Sequence, residues 1–252
     1  ELAVRAAFKA VCDNKQVAVL VPTTVLAFQH YNTFSQRLKD LPCKVDYVSR
    51  LRKTSEIRNV SKQLAEGDVN IIIGTHKLIG KNVSFKDLGL IIIDEEQRFG
   101  VAQKERLKSL AVNADILTLT ATPIPRTLSM AMGGIVDMSV LEEAPGLRSP
   151  VQTYVMEHDE AIINEAIRRE LRRGGQVFYL HNKVETIDRC AMKLRALLGD
   201  EVRIGVAHGK MDEKQLSQMM REVSDGELDI LVCTTIIETG IDIPNVNTLI
   251  IE

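Results

Sequence analysis

The chain has 252 residues, 45% of them hydrophobic, which suffices for ordinary cores and suggests two domains. Its net charge of −2 excludes a global basic field, so any nucleic-acid surface must be local or built from backbone amides and hydroxyls. Cys12, Cys43, Cys190 and Cys233 lie far apart with no C-x-x-C pair, which argues against zinc or a disulfide framework and fits a reducing cytoplasm.

No apolar run reaches about 18 residues and no signal-peptide pattern opens the chain. Trp is absent and aromatics are 4%, so extensive base stacking is not expected. The chain opens inside an apparent helix, Glu1-Leu2-Ala3-Val4-Arg5-Ala6-Ala7-Phe8, and stops on an apolar strand, which reads as a fragment truncated at both ends.

In chain order, the apolar runs predict strands at Gln16–Val21, Lys44–Ser49, Val69–Ile73, Leu90–Ile93 and Asp115–Leu119. A second set is predicted at Val151–Val155, Gln176–Leu180, Val202–Val206, Asp229–Val232 and Thr248–Ile251. Amphipathic helices are predicted between them at Val25–Leu38, Glu56–Glu66, Glu160–Arg173, Val184–Leu198 and Asp212–Asp225. Alternating β and α with apolar strands implies an α/β fold of parallel sheets covered by helices. The stretch Glu142–Pro150 holds two prolines and a glycine and reads as the linker between domains 1–149 and 150–252. The two halves echo each other, as two copies of one fold would, with ligands expected at the strand C-termini.

The chemistry-bearing segments follow strands. Val21-Pro22-Thr23-Thr24 opens a helix, where hydroxyls and free amides suit a phosphate, although taken alone an ordinary Thr cap is the better account of it. Gly74-Thr75-His76 follows the third strand; its glycine would let backbone approach a ligand and Thr75 would donate to phosphate oxygen. The run Ile91-Ile92-Ile93-Asp94-Glu95-Glu96-Gln97 delivers paired carboxylates from a buried strand. The first could hold Mg²⁺ through water and the second could orient a water against a γ-phosphate.

Thr120-Ala121-Thr122-Pro123-Ile124-Pro125-Arg126 is a rigid turn whose hydroxyls can reach those carboxylates. In the second half, His181-Asn182 and His208-Gly209 also follow strands, each histidine reading individually as packed or solvated and the pair lacking metal-ligand spacing. Thr234 and Thr235 can take a nucleic-acid phosphate, while Gly240 and Asp242 can face a nucleotide held by the other domain. A phosphate-binding G-x-x-x-x-G-K-[ST] loop does not occur in the 252 residues.

Taken together, these segments resemble superfamily 2 helicases. Val21–Thr24 is similar to motif Ia of that superfamily, Gly74–Leu78 to Ib, Asp94–Gln97 to II, Thr120–Pro123 to III and Cys233–Asp242 to V. Within it, Asp94–Val101, Leu119–Leu128 and Thr234–Gly240 resemble the transcription-repair coupling branch. The RecG-type fork-remodelling helicases are the close alternative, with a Gln-His pair where this chain has Glu96-Gln97.

The resemblance implies two tandem RecA-like domains, the first lacking its phosphate-loop strand and the second lacking motif VI. It implies an ATP-dependent double-stranded DNA translocase, with ATP and Mg²⁺ as cofactors. Its partners would be double-stranded DNA and, through domains absent here, RNA polymerase and the excision-repair protein UvrA. Asp94 would be the metal carboxylate, Glu95 and Gln97 catalytic, Gly240 and Asp242 nucleotide contacts, and Thr120, Thr122 and Arg126 coupling residues. Thr23, Thr24, Gly74, Thr75, His76, His181, Asn182, His208, Gly209, Thr234 and Thr235 would face DNA. A missing central strand would leave a gap in the first sheet. A helicase-like binding module that never hydrolyses is the non-enzymatic alternative, against which Asp94 and Glu95 speak.

Overall fold

The computed structural model describes residues 1–49, 52–80, 83–121, 133–134, 136–142, 150–235 and 240–252. The first sheet is built from β1 (Gln16–Leu20), β2 (Val45–Val48), β3 (Ile71–Gly74), β4 (Leu88–Asp94) and β5 (Asp115–Leu119). Around it run α1 (Leu2–Cys12), α2 (Thr24–Arg37), α3 (Thr54–Glu66) and α4 (Val101–Leu110). The second sheet comprises β6 (Gln176–Leu180), β7 (Ile204–Ala207), β8 (Ile230–Cys233) and β9 (Val246–Ile251), with α5 (Glu160–Arg172), α6 (Ile187–Leu198) and α7 (Glu213–Ser224).

All observed pairings are parallel, in the orders β2-β3-β1-β4-β5 and β7-β8-β6-β9. The apolar runs explain why. In β1, Val17 and Val19 enter one core while Ala18 and Leu20 enter the other; in β4, Leu90 and Ile92 are likewise separated from Ile91 and Ile93. A strand buried on both faces needs an unbroken apolar run, and such strands are joined by crossover helices.

The helix ends are set locally. Thr23 caps α2 by accepting from the Leu26 amide at 3.2 Å, Asp159 and Asp212 cap α5 and α7, and Gly67 closes α3 in the left-handed region at φ 89°.

Four strands of the first sheet, β2-β3-β1-β4, match β7-β8-β6-β9 of the second in order and register. Gln16 opens β1 and Gln176 opens β6, both buried. Gln16 Nε2 donates to the Leu64 and Val69 carbonyls, both at 2.8 Å; Gln176 Nε2 donates to the Val223 and Leu228 carbonyls at 2.7 and 2.6 Å. Both strands show a register irregularity directly after that glutamine.

Two expectations fail. Val151–Val155 forms no strand: it makes no sheet pairing among the described residues, and Val151 and Val155 are 88% and 96% exposed. β-Branched residues form strands only when a neighbouring surface pairs with them, and none does here. The gap in the first sheet is also absent. Its five strands are hydrogen-bonded in an unbroken order; among the described residues β5 lies at the edge, with Ile116 46% exposed. The predicted linker lies mostly outside the described residues.

The two glutamines yield a comparison. Gln16 Oε1 also accepts from the Lys86 and Asp87 amides at 2.8 and 3.1 Å, whereas Gln176 Oε1 is buried without a partner. Gln16→Met therefore strands two carbonyls and two amides, and Gln176→Met strands two carbonyls while removing an unsatisfied oxygen. Urea denaturation is expected to show a loss of about 3–5 kcal/mol for the first and about 1–2 kcal/mol for the second. Equal losses would show that these contacts do not anchor the sheets.

Candidate nucleotide site at the strand ends

Because every strand points the same way, the segments after β1, β3, β4 and β5 share one edge of the first sheet. Asp94 ends β4 and is part-buried. Its Oδ2 pairs with His30 Nε2 of α2 at 2.9 Å, while Oδ1 has no hydrogen bond among the described residues. Glu95, the next residue, takes the left-handed conformation (φ 55°, ψ 50°), uncommon for a side chain with Cβ. That turn carries the chain off the strand into a 3-10 turn over Glu96–Arg98. The Glu95 amide donates to the Leu119 carbonyl of β5 at 3.0 Å.

Gln97 Nε2 donates to Glu95 Oε2, and Thr120 Oγ1 donates to Gln97 Oε1 at 3.0 Å. Thr120 thus reaches Glu95 through Gln97 rather than directly. Thr122 and Arg126, the other two expected coupling residues, lie outside the described residues.

The second half meets this edge through α2. The amide of Asp242 donates to Gln29 Oε1 at 3.2 Å, and Val25, like Ile241, packs against the core cluster that includes Ile243. Gly240 holds φ +68° with Leu26 beside it, so the left-handed turn, more than space, calls for glycine there.

Several candidate DNA contacts sit differently from expectation. Thr23 is the α2 cap, and Thr24 is the first residue of that helix; both are part-buried. Gly74 does not open the backbone to a ligand, because a Cβ there would lie 2.6 Å from the Val48 carbonyl oxygen of β2. Thr75 and Thr234 are 3% and 8% exposed, so burial removes both from a solvent-facing role. His76, Asn182, Gly209 and Thr235 are exposed.

His181 is held at both ring nitrogens, Nδ1 to Glu252 Oε2 at 2.6 Å and Nε2 to Thr186 Oγ1 at 2.7 Å. Cys190 Sγ lies 3.8 Å from the same carboxylate oxygen; burial first, and then the Glu252 charge, push that thiol up to about 11, so it stays a protonated donor. His208 is part-buried with Nδ1 unpartnered.

Sequence reasoning missed Gln29 and His30, since both sit inside an amphipathic helix with no motif to mark them. Their distance from the strand carries the only signal: His30 and Cys190 each lie ten residues beyond the last residue of their strands, Leu20 and Leu180.

Residues 1–131 match the DEAD/DEAH box helicase family, and residues 158–252 match the helicase conserved C-terminal domain. The chain belongs to the DEAD/DEAH box helicase family.

It is similar along its whole length to the transcription-repair-coupling factors of Staphylococcus haemolyticus (strain JCSC1435; 56% identical, 100% of this chain and 22% of the relative) and Bacillus subtilis (strain 168; 56% identical, 100% and 21%). The chain therefore spans about a fifth of the length of these relatives. Among solved structures it resembles RecG bound to a three-way DNA junction (34% identical, TM-score 0.71, 93% of this chain and 31% of that one). Its fold also matches the Mycobacterium smegmatis helicase Lhr bound to ssDNA and AMP-PNP (18% identical, TM-score 0.72, 99% and 38%). Two RecA-like domains in tandem describe this α/β architecture.

The left-handed Glu95 gives a stability test. Glu95→Ala and Glu95→Gly both remove the carboxylate, so their difference isolates the backbone. The glycine variant is expected to be more stable by about 1 kcal/mol in thermal or urea unfolding, the reverse of the usual order. An alanine variant of equal or greater stability would mean that the left-handed turn carries no strain.

Proposed function

We propose that the chain is the motor region of an ATP-dependent double-stranded DNA translocase that couples transcription to excision repair by displacing stalled RNA polymerase. The observation that carries this reading is the linked set Asp94, Glu95, Gln97 and Thr120 at the strand C-terminal edge, with Gly240 and Asp242 brought up against α2. The 56–58% identity to transcription-repair-coupling factors, against 34% to RecG, supports this branch of the family.

Asp94 fits Mg²⁺. One oxygen is fixed by His30 and the other is open, as suits a cation that keeps several waters and takes one or two carboxylates. When bound, Mg²⁺ neutralises charge on the transferred phosphoryl group. The protein's own part is positioning. The β4–β5 pairing fixes the Glu95 backbone and Gln97 fixes its carboxylate, so a water held by Glu95 would have a set direction of attack. The Gln97–Thr120 bond ties that orientation to the segment after β5.

The 252 residues contain no phosphate-binding loop and are expected to hydrolyse no ATP by themselves. DNA, RNA polymerase and UvrA are proposed as partners of the longer protein, in the cytoplasm. In that protein Glu95→Gln is expected to bind ATP yet lower turnover by roughly 10²–10⁴-fold. Near-normal phosphate release by the variant would remove Glu95 from this role.

With net charge −2 and short polar residues at the exposed edge, DNA contacts go to backbone phosphates. Affinity should fall with rising salt and be independent of sequence. Asn182→Ala is expected to weaken binding equally on all duplexes, whereas the buried Thr75 and Thr234 contribute no contact. Fluorescence anisotropy at fixed salt that found a strong sequence preference would contradict this.

The RecG likeness supports a second reading, a fork-remodelling helicase core. Branched and linear duplexes distinguish the two: a translocase of the first kind is stimulated by linear duplex alone, a fork enzyme by the junction.

A further inference from the structure

We infer that Gln29 and His30 form a positioning pair through which the docked 240–243 segment of the second domain sets the orientation of the Asp94 carboxylate. The inference rests on the motor reading for its consequence, and on geometry for its existence.

Gln29 and His30 are consecutive residues of one helix, and they reach opposite halves of the molecule. Gln29 Oε1 accepts the Asp242 amide across 213 residues of sequence; His30 Nε2 holds Asp94 Oδ2 at 2.9 Å. Around the first bond, Val25 packs against the second domain's core cluster that includes Ile243, and Leu26 lies beside Gly240. The second domain thus grips the first turns of α2 immediately before the residue that holds the acid.

An α-helix moves as a unit, since a shift at one residue cannot be absorbed within one peptide of the hydrogen-bonded spiral. A displacement of the 240–243 segment is therefore passed to the His30 ring. Groups that hold a ligating carboxylate in place typically change metal affinity or activity by about 10–100-fold when removed.

The second domain shows that this position is a feature of the fold and that the pairing is specific to the first. Cys190 occupies the place of His30, and Glu252, one residue beyond the last of β9, occupies that of Asp94. There the helix residue donates only a thiol at 3.8 Å, and a histidine from the strand end, His181, takes the carboxylate at 2.6 Å. Only in the first domain does the helix alone hold the acid, next to a residue bonded to the other half.

The test reads His30 directly, in the 252-residue chain without nucleotide or metal, by the ¹⁵N resonances of its imidazole at one pH. Gln29→Ala and Gly240→Ala, the latter far from His30 in sequence and strained at φ +68°, are both expected to move the His30 signal in the same direction. Gln29→Asn keeps a neutral acceptor for the Asp242 amide on a shorter arm and should move the signal less than Gln29→Ala does. Hydrogen exchange should quicken at the Asp242 amide in both alanine variants. Gln29 is half-buried and outside the cores of both domains, so Gln29→Ala remains informative if Gly240→Ala unfolds the second domain. A His30 signal unmoved by Gln29→Ala, in a chain whose Asp242 amide does exchange faster, would overturn the linkage.

In the longer protein the same Gln29→Ala should lower kcat for ATP roughly tenfold with little change in KM. If the unaltered longer protein hydrolyses no ATP, the motor reading falls, and the imidazole and exchange data still decide the linkage.

Discussion

All nine described strands run parallel, and that single constraint organises everything else. Parallel neighbours cannot be joined by hairpins, so each connection crosses over as a helix and every strand ends at the same edge as its neighbours. The opposite edge is fastened by buried glutamines, which satisfy carbonyls at a helix end and before the next strand. With one end of each central strand tied in this way, the residues that follow the other end are held in register. Asp94, Glu95 and Thr120 come together because β4 and β5 are neighbours, although twenty-odd residues of helix and turn separate them along the chain.

The repeated architecture makes the differences between the halves informative. Thr75 and Thr234 directly follow equivalent strands and are both buried. Lys44 and Arg203 each donate a backbone amide to the side chain one residue before the next strand's register, Asn70 and Asp229. In the second half that carboxylate also pairs with the Arg203 guanidinium, which holds Asp229 below its usual range against the opposing effect of burial. In strand order and pairing register the halves agree over β2-β3-β1-β4 and β7-β8-β6-β9. They part company at the helix position facing the last strand's acid, His30 in one and Cys190 in the other, and there a difference in chemistry begins.

Much of this was legible in the sequence. Apolar runs located β1, β4 and β6 to within a few residues, because strands buried on both faces leave an unbroken signature. Val151–Val155 has the same local composition and no strand, since β structure depends on a partner that composition cannot report. The acid pair at 94–95 was visible as a motif, but the exposure of the threonines was not. Thr75 and Thr234 follow strands just as Thr120 does, and only the packing over β3 and β8 buries them. Gln29 and His30 were invisible because a helix face records burial and period, not which neighbour a polar residue meets.

The acid site is tied to two elements. Among the described residues β5 is bonded to β4 alone, and it carries both the Leu119 carbonyl that accepts the Glu95 amide and the strand end leading to Thr120. Glu95, already in a left-handed conformation, loses its backbone anchor if Leu119 moves away. The Glu95–Gln97–Thr120 chain therefore reports on the seating of β5, and the Asp94–His30 bond reports on the seating of α2. Two neighbouring carboxylates are thus steadied from opposite directions, one from the sheet edge and one from the helix that meets the second domain.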